Sequence, residues 1–204
     1  MQQIREWNRG GFMADVKGFQ PERFREVETP KPANELNSQS IILAIPERCR
    51  AELGDNFAMT TPACVRLGLE ELKCFEIVEY QFERWGITFA NAIAIQPSNP
   101  AFFVRPDTTV LMGAPKSGLI EIFFKYPVHF ASALVTSSRR TVMSAYDAEG
   151  KMITQAELPA PNLVGSNSPI PPNAVLSVSA AKIYQISFYA FDGQIIVDDL
   201  TFKF

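Results

Sequence analysis

Lys182–Phe204, KIYQISFYAFDGQIIVDDLTFKF, is the stretch that decides the fold. An apolar-rich run from Ile183 to Phe191 meets the dipeptide Asp192-Gly193, and a second run follows from Gln194 to Phe204. Asp-Gly between two strand-like segments predicts a hairpin, because glycine tolerates the positive φ of a tight turn. In the second run Ile196, Asp198, Leu200, Phe202 and Phe204 share one parity, with Thr201 and Lys203 on the other. A period of two sends one set into a core and the other to solvent. Asp198 falls in the inward set, where a carboxylate needs a hydrogen-bonding partner or a cation.

Working outward, the same short-strand habit extends back to Cys74. The expected strands are Phe75–Glu79, Gly86–Ile95, Thr108–Leu111, Leu119–Lys125, His129–Thr136, Thr141–Tyr146, Lys151–Ala156, Ala174–Ser179, Ile183–Tyr189 and Gln194–Phe204. Their separators are rich in Gly, Pro, Asn and Asp, and no helical period intervenes. Such spacing predicts a mainly β chain, an antiparallel β-sandwich of jelly-roll type. Before it, Ile41–Ile45 is short enough for a strand, whereas Pro46–Leu53 and Pro62–Lys73 have helix-forming composition. Residues 1–40 are polar and broken by Pro21, Pro30 and Pro32, with a short helix expected at Pro21–Val27. The expected organisation is thus an irregular, short-helical arm at 1–40 and a sandwich domain at 41–204 with its core at 74–204.

The chain has 204 residues, a formal net charge of −3 and an estimated pI of 5.3. No basic run exceeds Arg139-Arg140, which argues against nucleic acid as a partner. No apolar run reaches the ~20 residues of a membrane-spanning helix. Met1–Gly11 lacks the apolar core of a secretory signal, so the chain as given is expected in the cytoplasm. Cys49, Cys64 and Cys74 are an odd set without a Cys-x-x-Cys pair, and reduced thiols are the expectation.

The ordered motifs resemble those of bacterial extracellular β-sandwich domains common in exosortase-sorted proteins. The resemblance runs through Cys74-Phe75-Glu76, Gly86-Ile-Thr-Phe-Ala-Asn-Ala92, Ile120–Val128 with its closing Tyr126-Pro127-Val128, Ala145-Tyr146-Asp147-Ala-Glu-Gly150 and Asp198-Asp199-Leu200-Thr201-Phe202. It covers about 130 residues and implies a galactose-binding-like jelly roll, non-catalytic and adhesive or carbohydrate-associated. The resembled family is extracellular, yet this chain shows neither a secretion signal nor a carboxy-terminal sorting motif. About 70 further residues stand in front of the resembling stretch.

Three constellations are candidate sites. In sandwiches of the resembled kind the opening and closing strands lie close, and their carboxylates can share a structural calcium. Glu76, Asp198 and Asp199, with an amide oxygen from Asn91, would be the ligands here, since calcium takes six to eight oxygens. The alternative is that Glu76 and Asp199 face solvent and Asp198 accepts turn N–H groups. The second constellation is the loop Leu158–Asn173, in which five prolines stiffen a segment carrying Asn162, Ser166, Asn167 and Ser168. Those amides and hydroxyls suit sugar or peptide recognition, or the loop is a strap over one end of the sandwich. The third is Arg139-Arg140 beside Ser137 and Ser138, able to grip a carboxylate or phosphate or to pair with surface acids. Tyr146, Tyr184 and Tyr189 are the candidates for an aromatic platform. His129, the only histidine, lies in a strand-like run without a nucleophile elbow, so catalysis has little support.

The function expected is a non-catalytic binding or interaction module, with carbohydrate as the narrower expectation. The alternative is a structural protein that docks on a larger complex through residues 1–40. An enzyme with dispersed carboxylates ranks last.

Overall fold

The computed structural model describes residues 41–47, 64–113 and 118–204. The expected arm at 1–40, with its short helix, and most of Pro46–Leu53 lie outside the described residues. Eleven strands are seen: β1 (Ile41–Ala44), β2 (Cys64–Leu67), β3 (Ile77–Val78), β4 (Ile87–Ala90), β5 (Ala92–Ile95), β6 (Val110–Gly113), β7 (Leu119–Ser137), β8 (Thr141–Tyr146), β9 (Met152–Leu158), β10 (Ala174–Tyr189) and β11 (Ile195–Lys203). Among the described residues all pairings are antiparallel except β1 on β2.

The two long strands make the sandwich. The first half of β7 pairs with β4 on one side and with the second half of β10 on the other. The second half of β7 pairs with β11 and with the first half of β10. Between these halves the register breaks: β7 advances from Phe123 to Val128 while β10 moves only from Gln185 to Ile183. Lys125, Tyr126 and Pro127 form the excess, at a bend where proline's missing N–H costs no ladder bond. The bent ribbon therefore belongs to both layers, a corner of the kind made when strands change sheets. One layer is ordered β4-β7-β10-β8-β9, and the other β3-β5-β6-β11-β7-β10 with β2 and β1 alongside β11.

Between the layers sits one core. Ile120, Ile122, Met143, Ala145, Ile186 and Phe188 come from the first layer, and Ala131, Val135, Val178, Val197, Leu200 and Phe202 from the second. Phe124 and Phe202 meet edge-on at 4.9 Å across the gap. Leu119–Lys125, expected as a strand, alternates in burial, with Ile120, Ile122 and Phe124 buried.

Several expected boundaries change. Gly86–Ile95 is two strands, because Asn91 takes φ 60° and turns the chain from one layer to the other. Leu119–Lys125 and His129–Thr136 are halves of the single β7, as Ala174–Ser179 and Ile183–Tyr189 are of β10. The packed core starts before Cys74: Ala44, Val65, Leu67, Leu69 and Leu72 belong to it. Where helix was expected in Pro62–Lys73, the described part is β2 followed by one 3-10 turn, Leu69–Glu71. Pairing of Cys64–Arg66 with β11, with Cys64, Val65 and Leu67 buried and Arg66 exposed, outweighs the helical composition.

The hairpin expected at Asp192-Gly193 is an arch. β10 and β11 do not pair with each other; β7 lies between them. Tyr189 ends β10 opposite Leu119, at one end of β7, whereas Ile195 starts β11 opposite Ser137, at the other. The turn itself forms, with Gly193 N–H donating to the Ala190 carbonyl at 3.1 Å and Asp192 at φ 48°. It carries the chain across the layers. Gly118 sits tightly beneath it at φ +58°, where an added Cβ would stand 2.1 Å from the Ala190 carbonyl oxygen.

Phe202 is fully buried at the contact between layers. A Phe202→Ala variant is expected to lose about 3–5 kcal/mol of stability, read as a lower denaturant midpoint at unchanged slope. A loss below about 1 kcal/mol would mean that the two layers do not meet there.

Candidate functional site

The outer faces of the two layers differ. Over the β6–β11 part of the second layer, Phe102, Val110 and Ile196 form a small cluster with Ile95, Val104, Met112 and Leu163. Residues 96–109 and 159–173 provide its cover, joined where Val164 N–H donates to the Ala101 carbonyl at 2.9 Å. The Asn173 side-chain amide donates to the Phe103 carbonyl, also at 2.9 Å.

The outer face of the first layer carries no such strap among the described residues. The register builds it in rows. Thr88 of β4 stands opposite Phe123 of β7, Phe123 opposite Gln185 of β10, Gln185 opposite Tyr146 of β8, and Tyr146 opposite Met152 of β9. The next row is Ala90, Glu121, Ser187, Ser144 and Gln155, and a third holds Leu119, Tyr189, Val142 and Glu157. Opposed residues of an antiparallel pair share a face about 5 Å apart, so residues distant in sequence become one surface.

Hydrogen bonds fix its centre. The Asn91 amide donates to Glu121 Oε2 at 3.0 Å and the Gln185 amide to Oε1 at 3.1 Å. The Tyr146 hydroxyl and Ser187 Oγ lie 3.3 Å apart, and Ser144 and Ser187 are buried beneath the longer side chains. Phe123 is 37% exposed and Tyr189 42%, while Tyr146 is half-buried. At the corner of the face Arg140 pairs with Glu157. The surface thus combines amide donors, carboxylate and hydroxyl acceptors, and partly exposed aromatic rings.

The residues proposed for calcium are not gathered. Glu76 lies beside Ala94 of β5, where its carboxylate accepts from Lys73 N–H and from the Gln81 amide, both at 2.9 Å. From there to β11 is three strand steps, about 14 Å, against calcium–oxygen distances of about 2.4 Å. Asn91 is committed to Glu121, and Asp199 forms an ion pair with Arg66 of β2. Among the described residues no group of three or more His, Cys, Asp or Glu is arranged to hold a metal. The strand meeting the end of β11 is β2, not the segment at Phe75.

Asp198-Asp199 has another role. Asp198 pairs with Leu134 but Thr201 with Ser132, so one residue of β11 is extra and Asp199 sits at φ 50°. This bulge reverses the side-chain parity. Val197 and Leu200 both point into the core, and Asp198 shares the outer side with Ile196, contrary to the single inward set expected. It also marks where the same edge of β11 changes neighbour from β6 to β2. Asp198 Oδ1 accepts the Asp199 N–H at 2.7 Å.

In the loop Leu158–Asn173, Asn162 is structural. It is fully buried, accepts Ser137 N–H at 2.7 Å, and donates to the Val135 and Pro171 carbonyls at 2.9 and 3.0 Å. The sequence expectation of ligand binding is corrected at this position, because no polar atom of the side chain is left to reach out. Ser166 Oγ donates to the Leu163 carbonyl and Ser168 Oγ accepts Ile170 N–H, within the same strap, while Asn167 is exposed. Arg139 packs over Gly193 and lines an open groove of about 470 Å³ with Ser138, Asp192 and Gln194. Of the expected platform, Tyr146 and Tyr189 lie on the open face, and the register shift at the bend leaves Tyr184 out of its rows. His129 is exposed.

No protein-family model matches the chain, and no curated protein matches it. Among solved structures, a mutant of a family 29 carbohydrate-binding module aligns at 7% identity and TM-score 0.37, over 58% of this chain and 81% of its own. A second mutant of that family, solved with mannohexaose, aligns at 9% and 0.37, over 58% and 81%. A third, solved with cellulohexaose, aligns at 6% and 0.37, over 58% and 80%. Likenesses of that degree decide neither fold nor function. No helix among the described residues is long and apolar enough to cross a membrane, a fact that does not bear on strand-built spans.

Two outcomes are expected. Replacing Asn162 with Ala leaves Ser137 N–H and two carbonyls without their partner, so stability should fall by about 2–4 kcal/mol, measured by denaturant unfolding. For Asp198, burial is the largest influence and raises the carboxyl above its ordinary 3.8; Asp199 and Glu70 charges add to this, and the Asp199 N–H and Arg105 oppose it. A raised folded-state pKa favours folding only while the group is protonated, and that contribution is lost as pH rises through the folded value. An Asp198→Asn variant, which cannot ionise, should therefore gain stability relative to the parent as pH rises from about 4 towards 7. A difference independent of pH would remove burial as the cause.

Proposed function

We propose that this chain is a non-catalytic carbohydrate-binding β-sandwich whose ligand lies on the open face of the β4-β7-β10-β8-β9 layer. The observation that carries the reading is Glu121 held between two side-chain amides beside the half-exposed rings of Phe123 and Tyr146. Sugars offer hydroxyls that donate and accept at their edges and apolar C–H faces that lie flat on aromatic rings. A surface for them needs preformed amides and carboxylates next to ring faces. Phe123 and Tyr146 flank Gln185 in one row, two strand steps or about 9.6 Å apart. That separation suits alternate sugar rings of an extended chain, with the Gln185 amide addressing the ring between. The face is built on paired strands with its centre fixed by hydrogen bonds, so little ordering entropy opposes binding. The resemblance to adhesive and carbohydrate-associated sandwiches agrees in kind with this reading.

Affinity electrophoresis against a panel of soluble polysaccharides tests it. The parent protein should be retarded by at least one of them, and Phe123→Ala and Gln185→Ala should each weaken retention about tenfold or more. Phe123 and Gln185 are each partly buried and Gln185 donates to Glu121, so unfolding midpoints should fall by about 1–2 kcal/mol equivalent with the fold retained. Retention unchanged in both variants would place the ligand elsewhere.

A further inference from the structure

We infer that Glu121 makes this face selective for uncharged glycans and turns away chains bearing carboxylates or sulfates; the inference rests on the carbohydrate reading of the same face. Glu121 is at the centre of the surface, opposite Ala90 on one side and Ser187 on the other. Its two oxygens take one amide N–H each, from Asn91 and Gln185, and none of the ion pairs among the described residues involves it. A carboxylate has about four acceptor sites, so two remain for incoming donors. Neighbouring hydroxyls of a sugar supply two donors at one edge and match that demand. The amides restrict the carboxylate to one orientation without neutralising it, since an amide contributes a dipole and no charge.

The other charges of the face do not offset it. Lys125 follows four residues along β7, about 13 Å away, beyond a Debye length of about 8–10 Å. Its ammonium lies 5.6 Å from the centre of the Tyr126 ring. Arg140, just before β8, is bound to Glu157 of β9, a pair without net charge, with β8 and β9 two and three steps from β7. The central field is therefore negative. A ligand carboxylate or sulfate would lose water and meet repulsion at the point where a hydroxyl would be accepted.

The test compares three neutral polymers (glucomannan, hydroxyethyl cellulose and galactan) with polygalacturonate and alginate, for the parent and for Glu121→Gln, at low and high salt. The parent should bind at least one neutral polymer tenfold or more tighter than either anionic one, and added salt should narrow the gap by screening. Glu121→Gln keeps the shape and one acceptor oxygen. It should reduce neutral binding severalfold and bring the two classes closer together. Equal or tighter binding of the anionic polymers by the parent would overturn the selectivity while leaving the carbohydrate reading in place. A Glu121→Gln variant with the parent's ratio would also overturn it. Binding to neither class would overturn the carbohydrate reading, and the selectivity with it.

Discussion

The ribbon formed by β7 and β10 has to keep its backbone groups bonded while leaving one layer and entering the other. Every buried N–H and C=O needs a partner, so the change of layer is confined to one short stretch, where Lys125–Pro127 are in excess on β7 and a second register shift follows on β10 between Ile183 and Ser179. Proline gives up nothing there, and beyond the second shift regular pairing resumes. From this bend the rest of the topology is determined. β4 and β8 can attach only to the halves in the first layer, and β11 only to the half in the second. The Phe124–Phe202 contact across the gap is the packing result.

The same division explains why one outer face is available. The connections on the β6–β11 side are long and apolar enough to lie on their own sheet, with Phe102 and Leu163 against Ile196 and Val110. Asn162 locks that strap by meeting the end of β7 through its whole amide. The β7–β8 and β8–β9 connections are short and polar, and Asp147 closes its turn on the Glu149 and Lys151 N–H groups. Nothing in those turns reaches back over the first layer, so its polar and aromatic rows stay uncovered among the described residues.

The sequence made strand content and local alternation legible, since period two is a property of neighbours along the chain. Thr141–Tyr146 has its expected limits, and in the expected strand Leu119–Lys125 the residues Ile120, Ile122 and Phe124 are inward. What it concealed were matters of pairing. Asp192-Gly193 has hairpin chemistry, yet whether the flanking strands join is settled by β7 coming between them. Asp198-Asp199 looks like an inward charge until a bulge shifts the parity of Leu200 and the residues after it. Asn162 in a proline-rich loop looks like a recognition residue, and its burial arises from a β7 segment about 25 positions away. The open face joins Thr88, Phe123, Gln185 and Tyr146 by register alone. Tyr146 and Asn91 were legible as functional candidates, but Glu121, which connects Asn91 to Gln185, carried no local signal. Alternate polar positions on a strand are ordinary solvent-side residues until their neighbours are known.

The arch at Phe191–Gly193 has a kinetic consequence. Because β11 crosses to a slot bounded by β6 and β2 on one side and β7 on the other, none of its partners is its neighbour in the chain. Loop closure over long separations must come before those contacts can form, which places such topologies among slow folders. Until β11 enters, β7 and β6 each present an open row of donors and acceptors, the state most prone to joining another molecule. Assembly of this molecule is therefore most vulnerable to aggregation just before that strand is inserted.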